Sequence, residues 1–157
     1  MAKEIERKFT IINNNWKEAV SSSSRFRQGY MGTDEKASVR IRLEDDKANI
    51  NIKSATLGIQ RQEYEYDIPV TDANEMLDTL CHKPLIEKTR HYVQHQGKTW
   101  EIDVFEGDNQ GLVVAEIELD SEDESFTLPD WAGEDVSHDT RYYNVCLVSH
   151  PYKDWDL

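Results

Sequence analysis

The stretch KEIERKFTI, residues 3–11, alternates between charged and apolar side chains. The charges of Glu4, Glu6 and Lys8 fall at even positions, and the apolar Ile5 and Phe9 fall at odd positions. Successive side chains of a β-strand point to opposite faces, so the pattern predicts a strand with one apolar and one ionic face. The ionic face, with two acids and a base, needs a polar environment.

The same alternation recurs along the chain and predicts a mainly β protein of the α+β class. Six further stretches show it, at residues 37–43, 48–54, 62–68, 87–94, 99–105 and 112–120. Helical spacing of apolar residues instead predicts helices over residues 14–22, 71–83 and 136–149. The serine run at residues 21–24 is predicted to be a loop.

Length and composition limit the possible functions. A chain of 157 residues is long enough to fold as one domain, residues 1–157, without disulfides or a structural metal. Its net charge of -13 disfavours binding to nucleic acid and to anionic membranes. No apolar run reaches the roughly 18 residues that a membrane helix needs, and the early charged strand leaves no room for a signal peptide. Cys81 and Cys146 lack metal-binding spacing, and two reduced thiols predict a cytoplasmic protein.

The ionic faces of the predicted strands share a mixed charge. Eight acids lie on them: Glu4, Glu6, Glu63, Glu65, Glu101, Asp103, Glu116 and Glu118. Six bases accompany them: Lys8, Arg40, Arg42, Lys53, Lys88 and Arg90. In an open antiparallel sheet these would be a solvated face whose ion pairs contribute little. In a sheet that closes on itself they would converge on a water-filled interior.

The closed arrangement has a chemical consequence. Its interior would carry a net charge of about -2, which is costly in a confined space and calls for a cation. Carboxylates without histidine or thiolate partners suit Mg²⁺ or Mn²⁺, and two such ions would bring the interior to about +2. Arginine and lysine together bind phosphoryl oxygens, so a short chain of phosphates would complete the balance.

An ordered set of motifs resembles the CYTH domain, or triphosphate tunnel metalloenzyme, family. The first is Glu4-x-Glu6-x-Lys8, which looks like the family's ExExK signature. It is followed by Gln28-Gly29-Tyr30, Val39-Arg40-Ile41-Arg42, Ile52-Lys53, Arg61-x-Glu63-x-Glu65, Glu87-Lys88-x-Arg90, Trp100-x-Ile102-Asp103-x-Phe105, Leu112-x-x-x-Glu116-x-Glu118 and Arg141-Tyr142-Tyr143-Asn144. The resemblance implies a closed eight-stranded antiparallel β-barrel, a tunnel with its helices packed outside.

The resemblance also implies roles for individual residues. The metal ligands would be Glu4, Glu6, Glu116 and Glu118, with Glu63, Glu65 and Asp103 as further or water-mediated ligands. The phosphates would be bound by Lys8, Arg40, Arg42, Lys53, Lys88 and Arg90. Tyr30 and Lys8 are the candidate catalytic residues. A phenol with a pKa near 10 is a poor base at neutral pH, so a positioning role for Tyr30 stays open beside a proton-accepting one.

The resemblance implies hydrolysis of inorganic triphosphate to pyrophosphate and phosphate, dependent on two Mg²⁺ or Mn²⁺ ions. Two alternative enzyme activities would use the same phosphate-binding residues. They are hydrolysis of nucleoside triphosphates and cyclisation of ATP, as in class IV adenylyl cyclases. A non-catalytic polyphosphate-binding module is a third alternative, although it would need fewer carboxylates. The expected partner is a small triphosphate, with no nucleic acid and no membrane, and the chain would be a monomer or a homodimer.

Overall fold

A computed structural model describes residues 3–32, 36–55 and 59–156, and these residues form nine strands and two α-helices. The strands are β1 (Lys3–Ile11), β2 (Val20–Met31), β3 (Ala37–Glu44), β4 (Lys47–Ser54), β5 (Gln60–Asp67), β6 (Ile86–His95), β7 (Lys98–Phe105), β8 (Val113–Glu118) and β9 (Ala132–Asp135). The helices are α1 (Val70–Thr79) and α2 (Asn144–Ser149). No helix of the described residues has the length and apolar character needed to cross a membrane.

The strands close into a barrel at β1. The sheet runs in the order β5-β4-β3-β2-β6-β7-β8-β1, with every neighbouring pair antiparallel. β1 then pairs with β5, where Glu4 lies opposite Arg61, and the circle of eight strands is complete. β9 pairs with the later part of β1. The predicted closed eight-stranded antiparallel barrel is therefore confirmed.

The apolar parity of the strands forms the outer wall of the barrel, as the alternation predicts. The largest core cluster lies outside β1, β7 and β8 and includes Phe9, Trp100 and Trp131. The Trp100 ring is fully buried, with its centroid 5.6 Å from Phe9 and 5.4 Å from Trp131. Burial of this wall leaves the opposite parity, which carries the charges, to face inward.

The two helices occupy different places. α1 lies outside the barrel, where Ala73 and Leu77 pack with Ile41 of β3. α2 and the segment after it lie instead at one end of the barrel. There Leu147 and Trp155 pack with Ile86, Phe105, Leu112, Val114 and Tyr30, most of which have the inward parity of their strands. The C-terminal segment therefore closes this end, and the expectation of helices outside the barrel holds for α1.

Three local predictions were wrong. The helix predicted over residues 14–22 is a 3-10 turn at Asn15–Ala19, and the serine run belongs to β2, where Ser24 pairs with Arg90. The predicted helix over residues 136–149 contains only α2 and a 3-10 turn at Thr140–Tyr142. β2 escaped prediction because its first half is polar on both faces, so the alternation that marks the other strands is missing.

Candidate active site

The inward side chains line a cavity of about 230 Å³ inside the barrel. Every predicted site residue except Asp103 lines it, namely Glu4, Glu6, Lys8, Tyr30, Arg40, Arg42, Lys53, Glu63, Glu65, Lys88, Arg90, Glu116 and Glu118. Tyr143 and Asn144 line the cavity from the C-terminal segment. The structure thus brings the predicted residues from seven strands to one space.

The cavity has a closed end and an open side. The side chain of Lys88, near the C-terminal segment, is 1% exposed, whereas that of Glu65 is 46% exposed and that of Glu101 is 30% exposed. A charged ligand can therefore enter from the side of Glu65 and Glu101. It then meets cations that are cut off from bulk water, where electrostatic interactions are strongest.

Carboxylates crowd together on β1 and β8. Burial, together with the charges of Glu116 and Glu4, raises the pKa of Glu6. Burial and the charges of Glu4 and Glu63 likewise raise the pKa of Glu118. Ionisation of both groups is disfavoured by like charges nearby, which is the electrostatic setting in which a bound cation is stabilising.

Basic side chains neutralise part of the negative charge of these carboxylates. Lys53 Nζ lies 2.9 Å from Glu4 Oε1, and Arg61 approaches Glu4 at 3.4 Å and Glu6 at 3.6 Å. Arg61 also stands 5.2 Å from the centre of the Tyr143 ring. Arg61 was not among the predicted site residues. It shares the parity of Glu63 and Glu65 on β5, and that parity was the signal that would have identified it.

Asp103 lies behind the cavity and organises two cations. Its carboxylate accepts hydrogen bonds from Arg90 Nε at 2.7 Å, from Arg90 Nη2 at 2.9 Å and from Lys88 Nζ at 2.7 Å. Burial would raise the pKa of Asp103, but Arg90 and Lys88 outweigh it and lower the value to about 2. Burial lowers the pKa of Lys88 to about 7, against the opposing attraction of Asp103.

Phe26 separates the cations at the closed end. The centre of its ring lies 4.4 Å from the guanidinium carbon of Arg42, 4.7 Å from that of Arg90 and 5.6 Å from Lys88 Nζ. An aromatic face attracts cations, so one buried ring offsets part of the repulsion among three of them. Phe26 was not predicted as part of the site, because an aromatic residue in a β-barrel is usually assigned to the hydrophobic core.

Arg40 has donor capacity to spare. One of its terminal nitrogens lies 3.7 Å from Glu65, while its buried Nε has no hydrogen-bond partner among the described residues. A buried donor without a partner is rare, because leaving it so costs free energy. Arg40 Nε is thus suited to an anionic ligand.

Tyr30 lies among these cations with its phenol buried. Burial raises its pKa, and this effect outweighs the opposing influence of Arg40 and Arg42. The phenol therefore stays protonated at neutral pH in this environment. It can donate a hydrogen bond to an anion, and proton acceptance would need a further cation near it.

The donor chemistry of the cavity fits a divalent metal. Its acids offer only carboxylate oxygens, which are the ligands that Mg²⁺ and Mn²⁺ prefer, and Glu6 and Glu118 repel each other and their neighbours. Across residues 3–32, 36–55 and 59–156, no three acidic, histidine or cysteine side chains already stand together as a ligand set. Instead, Lys8, Lys53 and Arg61 pair with the acids.

The fold and the cavity define a class, the closed antiparallel β-barrels with an interior of interleaved carboxylates and basic side chains. The chain belongs to the CYTH domain family, whose family model matches residues 2–146.

Two relatives and one solved structure place it more closely within the family. A protein of Acetivibrio thermocellus named inorganic triphosphatase is 48% identical over 155 residues, covering 99% of each chain. One of Nitrosomonas europaea with the same name is 36% identical over 149 residues, covering 92% of this chain and 96% of the relative. The crystal structure of the inorganic triphosphatase NE1496 matches with a TM-score of 0.66 at 33% identity, covering 94% of this chain and 95% of the other.

Proposed function

We propose that this protein, acting as a single domain, hydrolyses inorganic triphosphate (tripolyphosphate) to pyrophosphate and phosphate inside the barrel. The observation that carries the proposal is the pairing of two opposite environments in one cavity. Buried cations, with Arg40 Nε unpartnered among the described residues, occupy the closed end, and mutually repelling carboxylates crowd β1 and β8. Two relatives that match almost the whole chain are named inorganic triphosphatases, which supports this reading.

The basic residues would bind the phosphate chain. Lys88 and Arg90 are oriented by Asp103, and Arg40 Nε is available to a phosphate oxygen. Guanidinium groups and ammonium groups match phosphoryl oxygens, and their positive charge stabilises the charge of a loose phosphoryl-transfer transition state. Arg42, Lys53 and Lys8 complete the set. Because these groups are fixed before the substrate enters, little reorganisation is needed at the moment of reaction.

The carboxylates would hold the metal. Glu4, Glu6, Glu116 and Glu118 are the proposed ligands, with Glu63 and Glu65 at the open side as further or water-mediated ligands. A bound divalent cation would lower the pKa of the attacking water and neutralise part of the phosphate charge. Asp103 belongs to the same proposed set, although both of its oxygens are engaged by Arg90 and Lys88, which favours a role in orienting those cations.

Tyr30 and Lys8 would act on the substrate directly. The raised pKa of Tyr30 favours positioning of a phosphate by its hydroxyl over acceptance of a proton. Lys8 stays cationic beside Glu116 and Glu6, so it would neutralise phosphate charge as the oxygens become more negative. Replacing Tyr30 by Phe separates the roles. A lower rate with an unchanged pH profile supports positioning, and loss of a rise in rate with increasing pH, which ionisation of the phenol would produce, supports proton acceptance.

The direct test is a substrate panel. The purified protein is incubated with Mg²⁺ or Mn²⁺ and either tripolyphosphate or ATP, and released phosphate and cyclic AMP are measured. We expect a larger kcat/KM for tripolyphosphate and no cyclic AMP. Faster turnover of ATP would favour a nucleoside triphosphate hydrolase, cyclic AMP would favour a cyclase, and tight binding of tripolyphosphate without turnover would favour a binding module.

A further inference from the structure

Asn144, the first residue of α2, reaches into the barrel from the C-terminal segment. Its side-chain carbonyl oxygen accepts a hydrogen bond from Lys88 Nζ at 2.9 Å and another from Gln28 Nε2 at 3.0 Å. Gln28 and Lys88 are almost completely buried. The two donors come from β2 and β6, so one oxygen ties two strands of the barrel to α2.

The contact continues to a second cation. Gln28 Oε1 accepts a hydrogen bond from Arg42 Nε at 2.9 Å, so the amide of Gln28 has one end on Asn144 and the other on Arg42. An amide has one accepting and one donating end, and its orientation is fixed when both ends are engaged. Asn144 therefore acts on Lys88 directly and on Arg42 through Gln28.

The position of Asn144 is itself fixed by packing. Leu147, one turn further along α2, is fully buried, and Trp155 packs against the same end of the barrel. Trp155 Nε1 also donates a hydrogen bond to the backbone oxygen of His150 at 3.1 Å. The C-terminal segment is therefore held against the barrel by its own packing, through Leu147 and Trp155. Asn144 is the side chain that connects this segment to the cations.

We propose that Asn144 is a positioning residue, which holds Lys88 and, through Gln28, Arg42 in the geometry that binds the phosphates. The proposal rests on the proposed triphosphatase function and extends it, because it makes the C-terminal segment a part of the active site. Displacement of binding groups by about an ångström is enough to cost roughly a hundredfold in rate.

The test compares Asn144→Ala with Val148→Ala. Val148 packs in the same closing segment and has no contact with Lys88, Gln28 or Arg42 among the contacts described, so its truncation reports loss of packing alone. We expect Asn144→Ala to lower kcat/KM for tripolyphosphate about tenfold to a hundredfold, and to weaken metal-free binding of tripolyphosphate in calorimetry at least about tenfold. Its melting temperature should fall no more than that of Val148→Ala, which should keep kcat/KM and affinity within about twofold of the wild type.

A second variant separates position from charge. Asn144→Asp keeps an oxygen that accepts hydrogen bonds, so its kcat should stay within about threefold of the wild type, while its added charge raises KM by repelling the substrate. The proposal is overturned if Asn144→Ala keeps the wild-type kcat/KM, or if Val148→Ala loses as much as Asn144→Ala. It is also overturned if Asn144→Asp lowers kcat by clearly more than this threefold limit. Absence of hydrolysis by the wild-type protein would instead overturn the proposed function, and this inference with it.

Discussion

Lys8 and Glu116 lie opposite each other on β1 and β8, and Lys8 Nζ donates a hydrogen bond of 2.8 Å to Glu116 Oε1. Burial alone would lower the pKa of Lys8, but Glu116 and Glu6 outweigh burial and raise it. Burial would raise the pKa of Glu116, but Lys8 and Arg90 lower it well below its usual value. Each partner therefore keeps the other ionised inside the barrel.

The first prediction concerns the loss of this cation. Lys8→Met leaves the carboxylates of Glu116 and Glu6 buried without their nearest positive charge. Breaking a buried pair on one side costs about 3 kcal/mol, so we expect a loss of stability of that order in urea unfolding at pH 7 with EDTA present. Hydrolysis of tripolyphosphate should fall by at least about a hundredfold, because a phosphate-binding charge is also lost.

The matched control for Lys8→Met is the double variant with Glu116→Gln. Removing both charges leaves no uncompensated ion at this position, so most of the lost stability should return. Hydrolysis should not return, since both residues are assigned to the site. Equal stability of Lys8→Met and the wild type would contradict the account of the pair.

The second prediction concerns the metal. Glu118 has a raised pKa because of burial and the nearby charges of Glu4 and Glu63, so removing its charge relieves repulsion in the metal-free protein. Glu118→Gln should therefore unfold at the same temperature as the wild type, or at a higher one, in EDTA. Hydrolysis should be lost almost completely, since Glu118 is a proposed ligand.

Thermal unfolding with added Mg²⁺ or Mn²⁺ provides the corresponding readout without activity. A ligand present at a hundredfold above its Kd stabilises the folded state by about 2.7 kcal/mol, so the wild type should show a clear rise in melting temperature. Glu118→Gln should show a smaller rise at the same concentration. An equal rise in both proteins would remove Glu118 from the proposed ligand set.

Strict alternation made most of the barrel predictable. In β1 and β3 the inner parity is largely ionic and the outer parity largely apolar, and this alternation is typical of a strand. β2 lacks the contrast, because its inner residues Phe26, Gln28 and Tyr30 are uncharged and its outer face includes exposed serines. A single-sequence pattern cannot identify a strand whose two faces look alike.

The site was predictable to the extent that it follows strand parity. Arg61 follows the same rule as Glu63 and was still missed. Asn144 is different, because it lies 56 residues from Lys88 along the chain and belongs to a short helix at the end of the barrel. Only the packing of the closing segment brings it to the cations, and local periodicity carries no information about such packing.

The third prediction concerns pH and a carboxylate outside the cavity. Asp135 accepts hydrogen bonds from Ser137 N at 2.9 Å, from Ser137 Oγ at 2.6 Å and from Arg7 Nε at 3.0 Å. Burial would raise the pKa of Asp135, but these donors outweigh it and lower the value. Folding thus favours the ionised form, and this stability is complete above the unfolded-state pKa of about 4 and is lost as the pH falls below it.

Asp135→Asn should therefore be less stable than the wild type by about 1 kcal/mol at pH 7, and the difference should shrink towards pH 2–3. Urea unfolding at the two pH values measures this. Glu134→Gln, at the exposed neighbouring position, is the control and should change stability by less than about 0.5 kcal/mol at either pH. If the loss of stability in Asp135→Asn does not depend on pH, the loss comes from altered packing or hydrogen-bond geometry and not from the removed charge.

The last prediction concerns Gly29, which lies between the inward residues Gln28 and Tyr30 and faces the outside of the barrel. A Cβ atom at this position would lie 2.7 Å from Cys81 Cβ and 2.8 Å from Leu85 Cδ2. Alanine normally stabilises a strand relative to glycine, but here the close approach reverses the sign, and we expect a loss of about 1–3 kcal/mol in urea unfolding. Ser22→Ala, at an exposed position of the same strand, should stay within about 0.5 kcal/mol of the wild type.

The same substitution should also affect activity. Because the wall must shift to admit the methyl group of Gly29→Ala, Gln28 and Tyr30 shift with it. The kcat/KM for tripolyphosphate should therefore fall in Gly29→Ala and not in Ser22→Ala. Unchanged stability of Gly29→Ala would contradict this prediction, because it would show that Cys81 and Leu85 can move aside without loss of unfolding free energy.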